Sequence, residues 1–317
     1  MALARALRDL PLHNGVGASR VVVPAGRWLR VLDFLTARFP HISATDWEAR
    51  LTRGLVLGNE GQPLQADTPA LQGGWLYYYR TVEGEAAIPF AHQVLYCDAH
   101  LLVADKPHFL PVVPSGKYLQ ETLLTRLKNT LDVPDIVPIH RIDRDTAGLV
   151  LFSLQASSRN AYYALFRERR VQKSYEAVAP YDAELSLPTR RASRIGPGAH
   201  FMQQAEVPGE VNAITDIELL EVCSPWARYR LRPVTGQRHQ LRVHMMALGL
   251  PLVNDGIYPQ LTPEGSSDPA KPLQLLAKSL SFNDPVSGHR MAFESQLQLL
   301  PLTGLDTAHP SKANAAM

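Results

Sequence analysis

Apolar and polar residues follow different patterns in two parts of the chain, and the first part, residues 21–80, has the spacing of short helices. One helix is predicted by apolar residues at helical spacing, Leu29, Leu32 and Leu35, which a proline follows. Ser43 or Thr45 can cap a second helix that runs through Arg50. With a short strand at 55–57 and a strand in GGWLYYYR, the pattern predicts a compact module of two small helices and a few strands.

From His92 to about Leu300 the pattern changes to strands with few helices. Runs typical of strands lie at 93–97, 100–105, 148–154, 174–180, 213–222, 228–234 and 273–282. Two helices are predicted, at 157–169 and 238–248, and Gly249 is the glycine expected to end the second. Because strands outnumber helices without regular alternation, we expect an α+β domain with a mixed sheet.

These patterns divide the chain into five segments. They are an N-terminal arm at 1–20, the small module at 21–80, a linker at 81–92, a large domain at 93–300 and a flexible tail at 301–317. No apolar run reaches the roughly 18 residues that cross a bilayer. The N-terminus also lacks the uninterrupted apolar stretch of a secretory signal. We therefore expect a cytoplasmic protein that does not associate with membranes.

Basic residues are unevenly distributed, although the net charge is only +2. Five of the 25 Arg residues, and no acidic residue, lie between Trp226 and His244. A second basic cluster contains Arg167, Arg169, Arg170 and Lys173, with Glu168 as its only acid. Guanidinium groups bind phosphates well, so the clusters favour a polyanionic partner. A chain rich in Ala, Arg and Pro can equally reflect genomic base composition.

The two cysteines, Cys97 and Cys223, lie in apolar segments that are predicted to be core strands. We therefore expect two buried thiols. This pair and its neighbours can form neither a disulfide framework nor a zinc site, so the commonest metal sites are not indicated.

The segment PIHRIDRDTAGLVLFSL places several charges directly before a buried strand. If the chain is extended there, Arg141 and Asp143 point to the same side, and the guanidinium favours the ionised carboxylate that a nucleophile requires. The structural alternative is a surface ion pair, or a turn in which Asp145 bonds the backbone near Gly148.

Two further segments carry candidate chemistry. In KSYEAVAP, Lys173 and Tyr175 share one face of a strand, which suits stacking on a nucleobase beside a phosphate, although a strand tyrosine is often simply core. In TGQRHQLRVH, Gly236 ends a strand, and Arg238 and Arg242 are predicted to share one face of the following helix. That helix start is a natural anion site, but a solvated basic face is equally consistent with it.

In this order, HRIDRDTAG, KSYEA and TGQRHQLRVH resemble the motifs HRLDxxTSG, KxYxA and TGRxHQxRVH of the RluA family of pseudouridine synthases. The likeness extends over about residues 93–294. It implies a catalytic domain with a mixed, mostly antiparallel sheet, an RNA substrate, and neither a cofactor nor a metal. The module before it resembles, in degenerate form, the small α+β S-four-like RNA-binding domain.

The resemblance implies a role for each matching residue. Asp143 would be the essential carboxylate, Arg242 would pair with it, and Tyr175 would pack against the flipped base. Arg141 would enter the RNA stack as the target uridine leaves it. Further RNA contacts are expected from His140, Lys173, Arg238 and His239. Two positions depart from the motifs: Ala147 replaces Ser, and Gln237 stands where Arg is usual.

Three functions are consistent with these patterns. The first is an RNA uridine isomerase that acts as a monomer on ribosomal or transfer RNA. The second is a non-catalytic RNA-binding protein that keeps the fold. The third is a metal-dependent phosphohydrolase of the haloacid dehalogenase type, because DRDT resembles the start of its DxDx(T/V) motif. That comparison is poor, since Thr146 directly follows Asp145 and the apolar strand comes after the acids instead of before them.

Overall fold

The computed structural model describes residues 10–305, except 27, 83, 132, 134 and 264–267. Most of the predicted tail and the first nine residues of the predicted arm therefore lie outside the described residues. The described chain forms two units. The first contains residues within Met1–Ala86 and Pro114–Pro134, and the second contains residues within Ala87–Val113 and Asp135–Met317.

The first unit contains a three-stranded antiparallel sheet, in the order β1-β3-β2, and three short helices. Its elements are β1 (Ser19–Val22), α1 (Val31–Arg38), α2 (Ala44–Thr52), β2 (Val56–Leu57), β3 (Trp75–Tyr78) and α3 (Leu123–Leu131). Ser43 caps α2 as predicted, because its hydroxyl accepts the backbone N–H of Asp46 at 3.1 Å. Phe34, Leu35 and Trp47 are buried among the helices and the sheet.

Three expectations for this part were wrong. Leu29 precedes α1 and is 82% exposed, because the helix begins only at Val31. The arm does not extend to residue 20, since β1 begins at Ser19 and pairs with β3. Helix α3 was missed, although Leu123 and Leu127 are buried one helical turn apart.

The predicted linker is anchored to the first unit. The carboxylate of Glu85 accepts the backbone N–H groups of Leu119, Gln120 and Glu121 at 2.7 to 3.0 Å, just before α3. Segment 114–134, which we expected in the large domain, therefore groups with the first unit. These hydrogen bonds join residues 34 to 36 positions apart in the chain, so local sequence patterns do not predict them.

An 11-stranded sheet forms the second unit, in the order β10-β9-β11-β12-β8-β13-β7-β5-β4, with β14 beside β13 and β6 beside β7. The strands are β4 (Gln93–Cys97), β5 (Leu101–Lys106), β6 (Val137–Pro138), β7 (Ala147–Ser153), β8 (Gln172–Pro180), β9 (Thr189–Pro197), β10 (Gln204–Val207), β11 (Ala213–Cys223), β12 (Trp226–Pro233), β13 (Leu275–Asn283) and β14 (Arg290–Glu294). Among these described strands only β7 and β13 are parallel neighbours. The α+β fold with a mixed, mostly antiparallel sheet is thus confirmed.

Two helices pack on this sheet. Helix α4 (Ala156–Arg167) buries Tyr162 and Leu165 against β5 and β7, and α5 (Gln240–Ala247) buries Leu241 and Met245 in a cluster with residues of β8 and β12. Every residue of β7 is buried, so the loop that enters this strand starts from a rigid base.

The seven predicted strands are present with ends shifted by at most two residues, but other details differ. Cys97 is exposed on edge strand β4, and Cys223 is half-buried at the end of β11, so neither thiol is fully buried. Residues 301–305 are not a flexible tail, because Leu302 and Leu305 pack into the core around a 3-10 helix. Gly249 follows α5 with a φ of +77°, as predicted for the glycine that ends a helix.

Strands β9, β10 and β14 were missed because each is short of apolar residues or has them next to charged ones, so none contains a long apolar run. No helix among the described residues is long and apolar enough to span a bilayer.

Gly148 allows β7 to approach β13 closely. Its φ is +108°, and a Cβ at this position would lie 2.7 Å from the backbone nitrogen of Ala277 and still closer to the carbonyl oxygen of that residue. We therefore expect Gly148→Ala to lower the free energy of unfolding by about 2 to 5 kcal/mol, as measured by urea denaturation.

Gly249→Ala is the matched control, because Gly249 also has positive φ but a Cβ there meets nothing within 4 Å. This variant should lower the free energy of unfolding only by the cost of backbone strain, about 1 kcal/mol. Equal losses in the two variants would show that the close approach of β7 to β13 is unimportant.

Candidate active site

One buried guanidinium joins two carboxylates from distant parts of the chain. The Arg242 Nε and Nη2 groups donate to the two oxygens of Asp255 at 2.8 and 2.5 Å, and Nη1 donates to Asp143 Oδ2 at 3.1 Å. The side chains of Arg242 and Asp255 are 1% and 0% exposed, whereas that of Asp143 is 29% exposed. Asp143 is thus the member of the trio that solvent or a substrate can reach.

Arg242 stays positively charged although its side chain is buried. Burial alone would lower the pKa of Arg242, but the hydrogen bonds and charge of Asp255, followed by the charge of Asp143, outweigh it and raise the pKa. Asp255 is itself held in place, because its Oδ1 also accepts the backbone N–H groups of Ile257 and Tyr258 at 2.8 and 3.0 Å. The guanidinium therefore has a fixed orientation toward Asp143.

His239 and Tyr258 form the wall beside this trio. The Tyr258 hydroxyl and His239 Nδ1 lie 2.9 Å apart, and His239 Nε2 lies 4.0 Å from Asp143 Oδ2. Burial is the main cause that lowers the pKa of His239, so the ring is neutral at neutral pH. The backbone of His239 is left-handed, with a φ of +56°, a conformation that costs energy in a residue with a side chain and is often found at functional sites.

Groups at the end of β5 fix the main chain of residues 139–146, which connect β6 to β7 and which we call the Asp143 loop. Lys106 Nζ donates to the carbonyl oxygen of Arg144 at 3.0 Å, and His108 Nδ1 lies 2.7 Å from the carbonyl oxygen of Asp145. Lys106 is completely buried, and burial lowers its pKa to about 7, although the charges of Asp145 and Asp143 act against that shift. Because these bonds go to backbone carbonyls, they leave the Asp143 carboxylate open.

His140 supports the same loop from its other end. Its ring stacks on Phe166, with centroids 4.6 Å apart and an angle of 18° between the planes. The backbone N–H of Leu151 donates to His140 Nε2 at 3.2 Å, which requires a neutral ring. Burial lowers the pKa of His140 to about 3. The geometry gives His140 a part in positioning the loop, and its role in RNA binding stays a prediction.

Gln240 positions the start of α5 with four hydrogen bonds. Its Oε1 accepts from Thr235 Oγ1 at 2.6 Å and from the backbone of Gln237 at 3.0 Å. Its Nε2 donates to the Ile214 carbonyl and to Thr215 Oγ1 at 2.9 and 3.0 Å. All the hydrogen-bonding capacity of this buried amide is therefore used to tie the helix that carries Arg242 to β11 and to the segment that follows β12.

Tyr175 and Lys173 lie on β8, beside this site. Tyr175 packs against the central core cluster, and burial, then the charge of Asp143, raises its pKa. Lys173 Nζ donates to the carbonyl oxygen of Thr235 at 2.8 Å. The structure thus brings Asp143, Arg242 and His239 together as neighbours and places Tyr175 within electrostatic reach of Asp143.

Two predicted residues are placed differently. Arg238 precedes α5, because the left-handed His239 separates it from the helix, and it is exposed with Nη2 donating to the Met202 carbonyl at 3.2 Å. Arg238 and Arg242 therefore do not share a helix face. Arg141 is exposed, and within the described part of the chain its side chain has no hydrogen bond or ion pair, so Asp143 pairs with Arg242 and not with Arg141.

Asp255, Tyr258, Lys106 and His108 were missed as site residues. The segments LLVADKP and LVNDGIY that contain three of them were visible in the sequence, but their approach to Asp143 depends on the order of strands in the sheet. No group of three His, Cys, Asp or Glu side chains in the described ranges could hold a metal ion.

Comparison with known proteins gives a consistent result. A family model described as RNA pseudouridylate synthase matches residues 100–247, a range that contains every predicted site residue. A Synechocystis protein named as an uncharacterized RNA pseudouridine synthase is 30% identical over 72% of this chain and 79% of its own length. The Salmonella typhi dual-specificity RNA pseudouridine synthase RluA is 32% identical over 63% of this chain and 91% of its own length.

A third relative extends further along the chain. The ribosomal large subunit pseudouridine synthase D of Pseudomonas aeruginosa is 32% identical over 77% of each protein. Among solved structures, human RNA pseudouridylate synthase domain containing 1 aligns with a TM-score of 0.53 at 24% identity, covering 65% of this chain and 83% of the human chain. The structural match supports the fold, and the predicted resemblance to RluA is confirmed. The S-four-like identity of the first unit stays a prediction.

The lowered pKa of His140 predicts a pH dependence of stability. Its folded pKa of about 3 lies below the ordinary value of about 6.5, so between these values the unfolded chain binds a proton that the folded chain does not. The free energy of unfolding should therefore fall as the pH is lowered from about 7 to about 4. Urea denaturation across this range is expected to show a shallower fall for His140→Gln.

The variant should keep part of the dependence, because burial also lowers the pKa of His244, to about 4. Identical pH profiles for the wild type and His140→Gln would contradict the assignment of His140 as a neutral ring in the folded protein.

Proposed function

The chain belongs to the RluA-like family of RNA pseudouridine synthases, and from that premise we propose that it isomerises specific uridines in ribosomal or transfer RNA with Asp143 as the essential carboxylate. The observation that carries the assignment of Asp143 is its partly exposed carboxylate at 3.1 Å from a buried guanidinium. The class of RNA is supported by two relatives, one named for dual specificity and one for the large ribosomal subunit.

The reaction needs a site that holds a reactive sugar away from water. The bond between N1 of the base and C1′ of the ribose breaks, the base turns, and a new bond joins C5 to C1′. N1 gains a proton and C5 loses one, so the isomerisation is balanced without an oxidant or a reductant. The base must first leave its stack, which costs a few kcal/mol and is easiest in a loop or bulge.

Asp143 would act in its ionised form. Arg242 stabilises the negative charge while its other donors are used by Asp255, so the carboxylate keeps one oxygen for the substrate. That oxygen would either attack C1′ or remove a proton from the sugar. A buried guanidinium in a fixed orientation serves both routes, because it is in place before the reaction begins.

Other predicted residues would bind and place the nucleotide. Tyr175 would pack against the flipped base, and the exposed Arg141 would fill the space that the base leaves in the RNA stack. Lys173, Arg238 and His239 would contact the RNA near the site. Because His239 is buried and neutral, its part would be a hydrogen bond or a packing contact instead of an ion pair with phosphate.

The wider setting of this function is also proposed. The first unit would act as a degenerate S-four-like RNA-binding module, and the second unit would be the catalytic domain. The enzyme would work in the cytoplasm as a monomer, without a cofactor or a metal ion. RNA shape, read by loops and by the first unit, would select the target uridine.

Replacing the essential carboxylate tests the assignment directly. Asp143→Asn is expected to reduce pseudouridine formation by at least about 10³-fold, as in other enzymes that lose a residue essential to the chemistry. RNA binding should be largely retained. Tritium release from RNA labelled at uridine C5 measures the reaction, because C5 loses its hydrogen, and a filter-binding assay measures the affinity.

Asp268→Asn, in an exposed turn, is the matched control and should react like the wild type. Activity should also be unchanged in EDTA, and a requirement for Mg²⁺ would favour the phosphohydrolase. Loss of RNA binding together with activity in Asp143→Asn would mean that Asp143 is structural.

Arg242→Lys tests the need for a branched cation. One ammonium group keeps the charge but cannot reproduce the two bonds to Asp255 and the third bond to Asp143. We expect kcat/KM to fall at least tenfold, about 1.4 kcal/mol in transition-state stabilisation, with the loss mainly in kcat. A variant with unchanged kcat would show that any buried positive charge is sufficient.

A further inference from the structure

A groove opens where two central strands separate. Strands β8 and β12 are paired only as far as Tyr175 and Leu231, and beyond that pair Gln172–Ser174 and Arg232–Val234 diverge. The groove at this point, which is also lined by residues of β13 and β14, has a volume of about 860 Å³. This volume is within the range of ligand-binding clefts. We call this groove the β8–β12 fork.

The β8–β12 fork is lined by five basic and two acidic side chains, and the acidic ones are already paired. Asp216 pairs with Arg190 at 2.6 Å, and Glu294 pairs with Lys278 at 3.1 Å. Arg230 and Arg232 are also paired, at 3.3 and 2.9 Å, with Glu218 on β11. The three remaining basic residues of the lining are Arg169, Lys173 and Arg290.

These three cations have no carboxylate partner among the described residues. Arg290 Nη2 donates only to neutral oxygens, at 3.4 Å to Gln172 and 3.2 Å to Ser281. Lys173 Nζ donates to the Thr235 carbonyl. Burial, with the charge of Arg169 as the second cause, lowers the pKa of Lys173 to about 8. The charges of Arg169 and Lys173 thus disfavour each other, and an anion bound between them would relieve that repulsion.

Arg169 occupies a backbone conformation that favours glycine. Helix α4 ends at Arg167, and Arg169 follows with a φ of +57°, in the left-handed region where a side chain is strained. Glycine would end this helix at lower energy. The Arg169 side chain is exposed, has no carboxylate partner among the described residues and lines a basic groove. An arginine in a strained conformation at such a position indicates a role in binding.

We propose that the β8–β12 fork binds the phosphodiester backbone of the RNA strand beside the target uridine, with Arg169, Lys173 and Arg290 as its phosphate contacts. The inference rests on the proposed function and adds the path of the strand. The fork starts at Tyr175, the residue expected to pack against the flipped base, so a strand leaving the site enters it directly. Contacts of this kind recognise phosphate irrespective of base sequence.

The test uses Arg169→Gly and the double variant Arg169→Gly/Arg290→Gln. Binding of a fluorescein-labelled RNA hairpin with uridines in its loop is followed by fluorescence anisotropy at several KCl concentrations. Arg169→Gly should weaken binding roughly threefold to tenfold, the usual effect of removing one hydrogen bond. The slope of log K against log salt should decrease by about 0.7 for each phosphate of a single strand that the variant no longer neutralises.

Stability separates binding from folding. Arg169→Gly removes the strain of a side chain in the left-handed conformation. The melting temperature of the variant should therefore equal or exceed that of the wild type, while its affinity for RNA falls. The matched control is Arg167→Ala, which removes the same charge two residues away from a side chain that pairs with Glu168 and does not line the fork. It should bind RNA nearly as well as the wild type.

Equal losses of affinity in Arg167→Ala and Arg169→Gly would overturn the inference, since only overall charge would then matter. Wild-type affinity and slope in the double variant, or no binding of the hairpin by the wild type, would also overturn it. Pseudouridine formation by the wild type is measured separately. If the wild type forms pseudouridine but the fork variants bind normally, the fork inference fails while the proposed function stands.

Discussion

The site of this protein depends on a buried guanidinium. An isolated cation in the interior would cost several kcal/mol, and Asp255 offsets that cost with two hydrogen bonds from a position that is itself buried. The third bond can then go to Asp143, which is partly exposed. One carboxylate stabilises the cation, and the cation in turn holds the other carboxylate in place. Helix α5, the loop before β7 and the turn at Asp255 must meet for this arrangement to form.

Main-chain contacts supply the rigidity that this meeting requires. Lys106 and His108 bind carbonyl oxygens of the Asp143 loop, His140 accepts an N–H from β7, and Gln240 ties α5 to β11. All of these groups are polar, yet none of their bonds is made to the Asp143 carboxylate. These buried polar groups therefore position the Asp143 loop without occupying the carboxylate of Asp143. One set of residues holds the site in place, and another is left to react.

Local patterns in the sequence predicted seven of the strands and the α+β class, because buried runs are local signals. The pairing of Asp143 with Arg242 came from the resemblance of the ordered motifs to the RluA family. They could not predict Asp255 as the second partner of Arg242, since that contact depends on the packing of a turn against α5. The helical register of Arg238 was wrong because a left-handed residue, His239, delays the helix. Cys97 looked buried because an edge strand and a central strand can have the same composition.

The first unit is formed by two separate stretches of the chain, and this affects the synthesis of the protein and its division into fragments. Helix α3 belongs to that unit, although 27 residues of the second unit, Ala87–Val113, separate it from the rest. A fragment that starts at Ala87 would lack Glu85, whose carboxylate accepts three backbone N–H groups just before α3. During synthesis on the ribosome, the first unit likewise cannot be complete until α3 has emerged. The chain passes between the two units three times. Neither unit can therefore be expressed, cut out by one protease cleavage or exchanged in evolution as one continuous segment that leaves the other unit intact.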